Sequence, residues 1–292
     1  MTETVGVVGL GVMGGAIIRN IATSQRKVSG FDIDERRIKE ATADGIDVEG
    51  SIAALAERVS VVITSLPSPK AVIAVAKEIA SSKGKGLTVI EASTLALEDK
   101  FEFQRILAEA GHTALDCTLS GTGAQAKTGD LAVYASGDQV LVETLRPLFS
   151  SFTRQLHYVG AYGNGSKMKY VANLLVAIHN VSAAEAMVLG MKSGLDPHHL
   201  VELVASGAGT SRMFEMRAPL MADNKYQPAQ SSIAMWQKDL SVINDYVNKI
   251  GCAAPLFATA MPLYAAAFAN GHLEDDAASI CRILEMMSGV KR

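Results

Sequence analysis

Lys169 and Asn173 are polar residues set in an otherwise apolar run, within the stretch GAYGNGSKMKYVAN at residues 160–173. Gly160, Gly163 and Gly165, with Asn164 among them, make a bend, because glycine takes backbone angles that other residues avoid. From about 166 to 193 the chain has no proline, a single glycine at Gly190, and much Ala, Leu, Met and Val, which predicts one long helix. At roughly 1.5 Å per residue it would run about 40 Å, long enough to serve two domains. Met168, Val171, Leu174, Leu175, Ile178, Val181, Met187 and Leu189 go nearly all the way round it, as in a helix buried on most sides. Lys169 and Asn173, four residues apart, point the same way near its N-terminal end. A cation is mildly unfavourable there and an acid is the usual choice. Either something else there requires the amine, or the lysine snorkels to solvent, as Lys167 is expected to.

A second constellation lies near the start. The apolar run TVGVVG at 4–9 reads as a buried strand and leads into Gly9-Leu10-Gly11-Val12-Met13-Gly14, with a helical stretch over 16–23 behind it. This is GxGxxG between a strand and a helix, the context in which it binds a dinucleotide. Gly9 permits the tight turn, Gly11 the approach of a pyrophosphate, and Gly14 the close packing of helix on strand, with the phosphates at a helix N-terminus. Glycine loops without a ligand look similar, and the next strand decides between them. VSGF at 28–31 ends in Asp32, where such a site places the acid that holds the adenosine ribose. That carboxylate repels a 2'-phosphate, so NAD is expected over NADP. Arg36 and Arg37 admit two readings, as exposed helix residues or as partners for such a phosphate.

Strands at 59–65, 87–90 and 113–117 alternate with helices at 70–81 and 97–110, the pattern of a parallel sheet. Ligands bind beyond the carboxyl ends of such strands. The residues there are Leu66-Pro67, Ser93-Thr94 and Leu119-Ser120-Gly121-Thr122-Gly123, each of which also suits an ordinary turn. After Gly165 the strand patterns stop. Asp196-Pro197 caps a helix to about 205, SGAGTS at 206–211 is a polar loop, and helices follow over 212–222, 232–250, 255–269 and 275–288. The expected domains are 1–163 and 164–292. Within the second, Lys238 and Asp239 interrupt an amphipathic helix, either as a solvated pair or as a lysine presented toward nicotinamide and substrate.

Composition narrows the partners. Across 292 residues, 49% are hydrophobic and 20% charged, with net charge -3 and no basic run, which points to small molecules and away from nucleic acid and acidic membranes. Three cysteines far apart suggest neither disulfides nor zinc, but buried thiols in a reducing cytoplasm. The six histidines have no ligand spacing, so no metal is expected. No charged-then-apolar leader and no uninterrupted run of 18 apolar residues is apparent, so a cytoplasmic protein without a membrane span is expected. The apolar second half suggests a homodimer or homotetramer.

With these residues assembled, the sequence resembles the 3-hydroxyisobutyrate dehydrogenase family of β-hydroxyacid dehydrogenases, and more distantly 6-phosphogluconate dehydrogenase. The likeness covers GLGVMG at 9–14, Leu66-Pro67, SGTG at 120–123, the glycine run leading to Lys169 and Asn173, KDL at 238–240 and the pattern around Asp276. It implies an α/β fold: an N-terminal Rossmann-type parallel sheet domain binding NAD and an all-helical substrate and oligomerisation domain, joined by the long helix. It implies that Lys169 is the catalytic lysine assisted by Asn173, that Ser120, Gly121 and Thr122 hold a substrate carboxylate, and that Leu66, Pro67, Thr94 and Lys238 contact the cofactor, Lys238 also facing substrate. The chain departs from the family at Thr122, where many members have a second glycine, and at Ala172, where many have a first asparagine. The threonine hydroxyl suits a substrate polar at C2, such as L-threonate or a β-hydroxy amino acid of the D-threonine type, better than 3-hydroxyisobutyrate with its methyl. The implied reaction is oxidation of the hydroxyl of a small 3-hydroxy acid with Lys169 as general base. A free lysine, with pKa about 10.4, is a poor base near neutrality and needs its neutral form favoured by burial and by the cationic nicotinamide. The alternatives are a reductase of small acidic aldehydes such as tartronate or succinate semialdehyde, and a dinucleotide-binding regulatory protein without catalysis.

Overall fold

The first buried run, Val5–Val8, is strand β1, and it passes through Gly11 as N-cap into α1 (Val12–Thr23). Strand and helix then alternate: β2 (Val28–Phe31), α2 (Glu35–Ala43), the short β3 (Asp47–Val48), α3 (Ile52–Arg58), β4 (Val61–Thr64), α4 (Pro69–Ser81), β5 (Thr88–Glu91), α5 (Leu97–Glu109) and β6 (Thr113–Ser120). Local chemistry sets several starts. Asp34, Ser51 and Ser68 each accept from a backbone N–H of the first turn of α2, α3 and α4, and Pro69 opens α4, where its missing N–H is no loss. The chain continues through α6 (Gly123–Lys127), β7 (Ala132–Ser136), α7 (Gln139–Thr144), α8 (Arg146–Phe149), β8 (Gln155–Tyr158) and the long α9 (Asn164–Lys192). This computed structural model describes residues 4–292.

The eight strands form one sheet in the order β3-β2-β1-β4-β5-β6-β7-β8. All neighbours are parallel except β6 and β7, which run antiparallel. The strands read from sequence form the parallel sheet expected, and the antiparallel β7 is an addition that the connection explains. A parallel return needs a crossover of a dozen residues or more, whereas only the short α6 and its turns separate β6 from β7. Apolar side chains fill both faces of the sheet. Ile17, Ile18, Ile21, Val142, Leu148 and Phe149 cover one face, and Leu55, Val72, Ile79, Phe103 and Leu107 the other.

The chain divides into two units, the first ending at Lys169 and the second running from Tyr170 to Arg292. The division falls inside α9, later than the boundary near 163 expected from composition. The first turn of that helix is bonded to the sheet and so belongs with it: Ser166 N–H donates to Asp116 Oδ2 at 2.7 Å and Thr118 Oγ1 donates to the Gly165 carbonyl at 2.8 Å.

The second unit continues from α9 through α10 (Pro197–Ala205), α11 (Arg212–Ala222), α12 (Ile233–Lys249), α13 (Pro255–Ala269) and α14 (Ile280–Ser288). By length and composition α9 could cross a membrane, but its interior positions serve as core. Ala177, Ala184 and Met187 are buried, and the equally buried Asn180 donates to Tyr264 Oη at 3.1 Å and to the Ala277 carbonyl at 2.9 Å. Burial pushes the Tyr264 phenol up to about 12, so it keeps the proton it donates to the Ala177 carbonyl. Of the three cysteines, Cys117 and Cys281 are buried and burial raises their thiols, to about 12 for Cys281; Cys252, in the turn after α12, is exposed, contrary to expectation.

Asp276 is the polar hub of this unit. Its Oδ2 accepts from the N–H groups of Gln230 and Ser231, its Oδ1 accepts from Ala278 N–H at 3.0 Å, and the buried Arg217 guanidinium pairs with it at 3.5 Å. Removing the carboxylate leaves a buried cation and three backbone donors without their acceptor. Asp276→Ala is therefore expected to lower stability by about 3–5 kcal/mol, with Asp276→Asn losing less. Urea denaturation followed by circular dichroism checks this, and an unchanged midpoint would contradict it.

Candidate active site

The glycine loop at the end of β1 is shaped by backbone contacts that exclude side chains. Gly9 has φ +89°, and a Cβ there would strike the Ser65 carbonyl; a Cβ on Gly14 would strike the carbonyl of Gly9. Gly11 differs, because a Cβ there would meet no atom of the described residues within 4 Å. Its glycine thus leaves open space directly above the start of α1. No side chain caps that helix and no acid lies in its first turn, so its N–H groups and dipole favour an anion. Asp32 fastens the loop: Oδ2 accepts from Leu10 N–H at 2.6 Å and Oδ1 from Asp34 N–H at 2.9 Å. Each oxygen keeps a lone pair for a ribose hydroxyl. Arg36 lies 3.8 Å from Asp34 and Arg37 pairs with Glu40 at 3.0 Å, so both are engaged by acids of the same segment. An open cradle over uncapped amides with a diol-binding acid beside it fits a dinucleotide.

Sheet register brings further turns to the same edge. Val8, Thr64 and Glu91 are aligned across β1, β4 and β5, so the glycine loop, Leu66-Pro67 and Ser93-Thr94 leave their strands side by side. The last two turns are tied together, with Leu66 N–H donating to Ser93 Oγ at 2.8 Å and Ser93 N–H to Glu91 Oε1 at 2.9 Å. Glu91 aligns with Asp116 on β6, and β6 then runs on to Ser120. Gly121 has φ +144°, and a Cβ there would lie 2.6 Å from Leu131.

Thr122 caps α6 in a reciprocal box: its Oγ1 accepts from Gln125 N–H at 3.3 Å, and its own N–H donates to Gln125 Oε1 at 3.0 Å. Of the three residues expected to hold a carboxylate, Thr122 has its N–H already used by this bond. The hydroxyl retains its O–H and one lone pair. Ser120 and the Gly121 N–H are the remaining candidates for the carboxylate.

The helix bearing Lys169 starts under tight constraint. A Cβ on Gly165 would lie 2.5 Å from the carbonyls of Asp116 and Tyr134, so only glycine lets α9 come this close to β6 and β7. Asp116 accepts from both the N–H and, at 3.0 Å, the hydroxyl of Ser166, while Gly165 N–H donates to Ser136 Oγ at 3.0 Å. No acid lies in the first turn of α9. The sheet supplies it instead, through the buried Asp116. Lys169 follows Ser166 by one turn and is half-buried.

Asn173, buried one turn further on, donates through Nδ2 to Asp239 Oδ2 at 2.9 Å, so its oxygen is the atom that can accept from an amine or hydroxyl. Asp239 also pairs with Lys238 at 3.3 Å, so the aspartate is shared between a lysine and the asparagine. Asp116, Ser166 and Asp239 were not singled out as site residues from sequence. Only Asp239 carried a local signal, as a charge breaking an amphipathic face.

Comparison with known proteins bears on this arrangement. Residues 4–160 match the model for the NAD binding domain of 6-phosphogluconate dehydrogenase, and residues 163–284 match that described as NAD-binding of NADP-dependent 3-hydroxyisobutyrate dehydrogenase. The chain is 30% identical over 288 residues to an L-threonate dehydrogenase of Cupriavidus necator, covering 97% of this chain and 96% of that one. It is 25% identical to a 2-hydroxy-3-oxopropionate reductase of Escherichia coli, over 98% of each chain. Among solved structures, the Mycobacterium tuberculosis 3-hydroxyisobutyrate dehydrogenase with L-serine superposes with a TM-score of 0.89 at 28% identity, covering 97% of this chain and 99% of that one. This chain takes a nicotinamide dinucleotide as cofactor and belongs to the 3-hydroxyisobutyrate dehydrogenase family.

Proposed function

We propose that the protein oxidises the hydroxyl of a small 3-hydroxy acid, with NAD as cofactor and Lys169 as general base. The observation that carries this reading is one polar face of β6. Asp116, Thr118 and Ser120 alternate along the strand and so point the same way. The first two fasten the start of α9, which bears Lys169, and the third ends the strand at the Gly121 turn. A single rigid element therefore sets the lysine and the anion-holding turn relative to each other.

The residues divide the work as follows. Asp32 takes the ribose hydroxyls, the loop from Gly9 through Leu10, Gly11, Val12 and Met13 to Gly14 takes the pyrophosphate, and Leu66, Pro67, Thr94 and Lys238 hold the remainder of the dinucleotide. When bound, NAD supplies the hydride acceptor. Ser120 and the Gly121 N–H hold the substrate carboxylate and fix the carbinol carbon. Lys169 takes the hydroxyl proton, and the Asn173 oxygen orients the amine or that hydroxyl. The Thr122 hydroxyl meets a polar group at C2, which favours L-threonate or a β-hydroxy amino acid such as D-threonine over 3-hydroxyisobutyrate. Relatives named L-threonate dehydrogenase, and one solved with L-serine, support that choice. The relative named 2-hydroxy-3-oxopropionate reductase favours a second reading, in which Lys169 returns the proton during reduction of a small acidic aldehyde.

Exposed Leu189, Leu195, Leu203 and Leu256 of the second unit support self-association as a homodimer or homotetramer, and three cysteines outside any disulfide support a cytoplasmic setting.

NADH formation against a panel of 3-hydroxy acids, sugar acids and β-hydroxy amino acids of both hands tests the reaction, with the highest kcat/KM expected for a substrate polar at C2. Lys169→Ala is expected to lose about 10³-fold in turnover while NAD affinity barely changes; near-normal turnover would refute the role. Turnover in the oxidative direction is expected to rise with pH, because the amine must first lose its proton. For the cofactor, kcat/KM with NAD is expected to exceed that with NADP, and Asp32→Ala to narrow the gap. A wild-type preference for NADP would overturn that part.

A further inference from the structure

Three charged side chains without solvent exposure meet inside the first unit: Lys100 of α5, Glu91 at the end of β5 and Asp116 of β6. Lys100 Nζ donates to Glu91 Oε2 and, at 2.9 Å, to Asp116 Oδ1. Stability alone is a poor reason for such a cluster, since apolar residues of similar volume often hold a core as well. Its surroundings suggest another. Glu91 Oε1 accepts from Ser93 N–H, and Ser93 Oγ from Leu66 N–H, on the cofactor side. Asp116 accepts from the N–H and hydroxyl of Ser166 on the other side. Lys100 is thus the central link of a continuous hydrogen-bonded chain from the turn at Leu66 to the first turn of α9. A second contact holds α5 to the segment entering that helix, with Tyr162 Oη donating to the Lys100 carbonyl at 3.0 Å.

We infer that Lys100 and Glu91 are positioning residues: together they hold the Asp116 carboxylate in one place and so fix the height of Lys169 relative to the turns at Leu66 and Thr94. This rests on the reading of Lys169 as the proton acceptor. Neither residue touches a reacting atom, and their effect is carried through Asp116 and Ser166. An ammonium suits the task because it donates to two carboxylates at once, whereas a neutral side chain there would leave two acids facing each other.

Two variants test the inference. E91Q/K100M removes one positive and one negative charge together, leaving the net charge of the cluster unchanged. Ser166→Ala keeps all three charges and deletes only the hydroxyl link, and it decides the matter if the first variant does not fold. Both are compared with wild type and Lys169→Ala for melting temperature, NAD affinity by titration, kcat, KM and the pH profile of kcat. We expect NAD affinity within about twofold of wild type, kcat lowered about 10-fold in Ser166→Ala and on the order of 100-fold in E91Q/K100M, KM changed less than kcat, and a displaced pH midpoint. A merely structural cluster would lower the melting temperature and leave kcat and its pH profile intact, and that result overturns the proposal. If Lys169→Ala is inactive while both variants match wild type, positioning alone falls. If wild type reduces no NAD with the panel, or Lys169→Ala equals it, the reading of function falls and takes the proposal with it.

Discussion

The start of a helix carries unpaired N–H groups and a partial positive charge, and in α9 these are met by a carboxylate from the sheet. Asp116 is bonded to Ser166 across 50 residues of sequence, inside a region without solvent. Much else follows from that contact. Gly165 must be glycine for the backbones to approach, the turns at Gly160 and Gly163 must adopt positive φ to bring the chain round, and Thr118 and Ser136 secure the neighbouring peptide groups. A lysine one turn into such a helix is held by the sheet and not by the flexibility of its own segment.

The sheet does the same for the other groups. Parallel neighbours in register deliver several turns to one edge, where the loop around Gly11 is open because none of the described residues fills the space a side chain would take. Thr122 shows how one residue serves two ends. Its capping box makes the turn after Ser120 rigid, and the hydroxyl left over gives that turn a polarity that a second glycine would lack. Order of the turn and the polarity it presents are thereby coupled through one side chain.

Much of the architecture was legible because it is written locally. The glycine loop with Asp32, the strand and helix alternation over 4–31 and 59–117, the long apolar helix after Gly165 and the helical second half all rest on composition, period and caps within a few residues; the two-residue β3 and the short α3 are too brief to show a period. The antiparallel entry of β7 was not foreseen, since it depends on how short the link through α6 is. Lys100 was invisible for another reason. A lysine on a helix with charged neighbours reads as solvated, and only the fold shows that its amine lies between Glu91 and Asp116. Asn173 stands out by its spacing from Lys169, but its bond to Asp239 joins α9 to α12, and no local pattern reports a contact 66 residues away.

The central claim is that the Lys169 amine receives the proton of the substrate hydroxyl. It is tested most directly by a crystal structure of the protein with NAD and a slowly turned-over 3-hydroxy acid. The account predicts the Lys169 amine within hydrogen-bond distance, about 3 Å, of the carbinol oxygen, with the carboxylate at Ser120 and Gly121. An amine directed into bulk water, with another side chain on that oxygen, would contradict it.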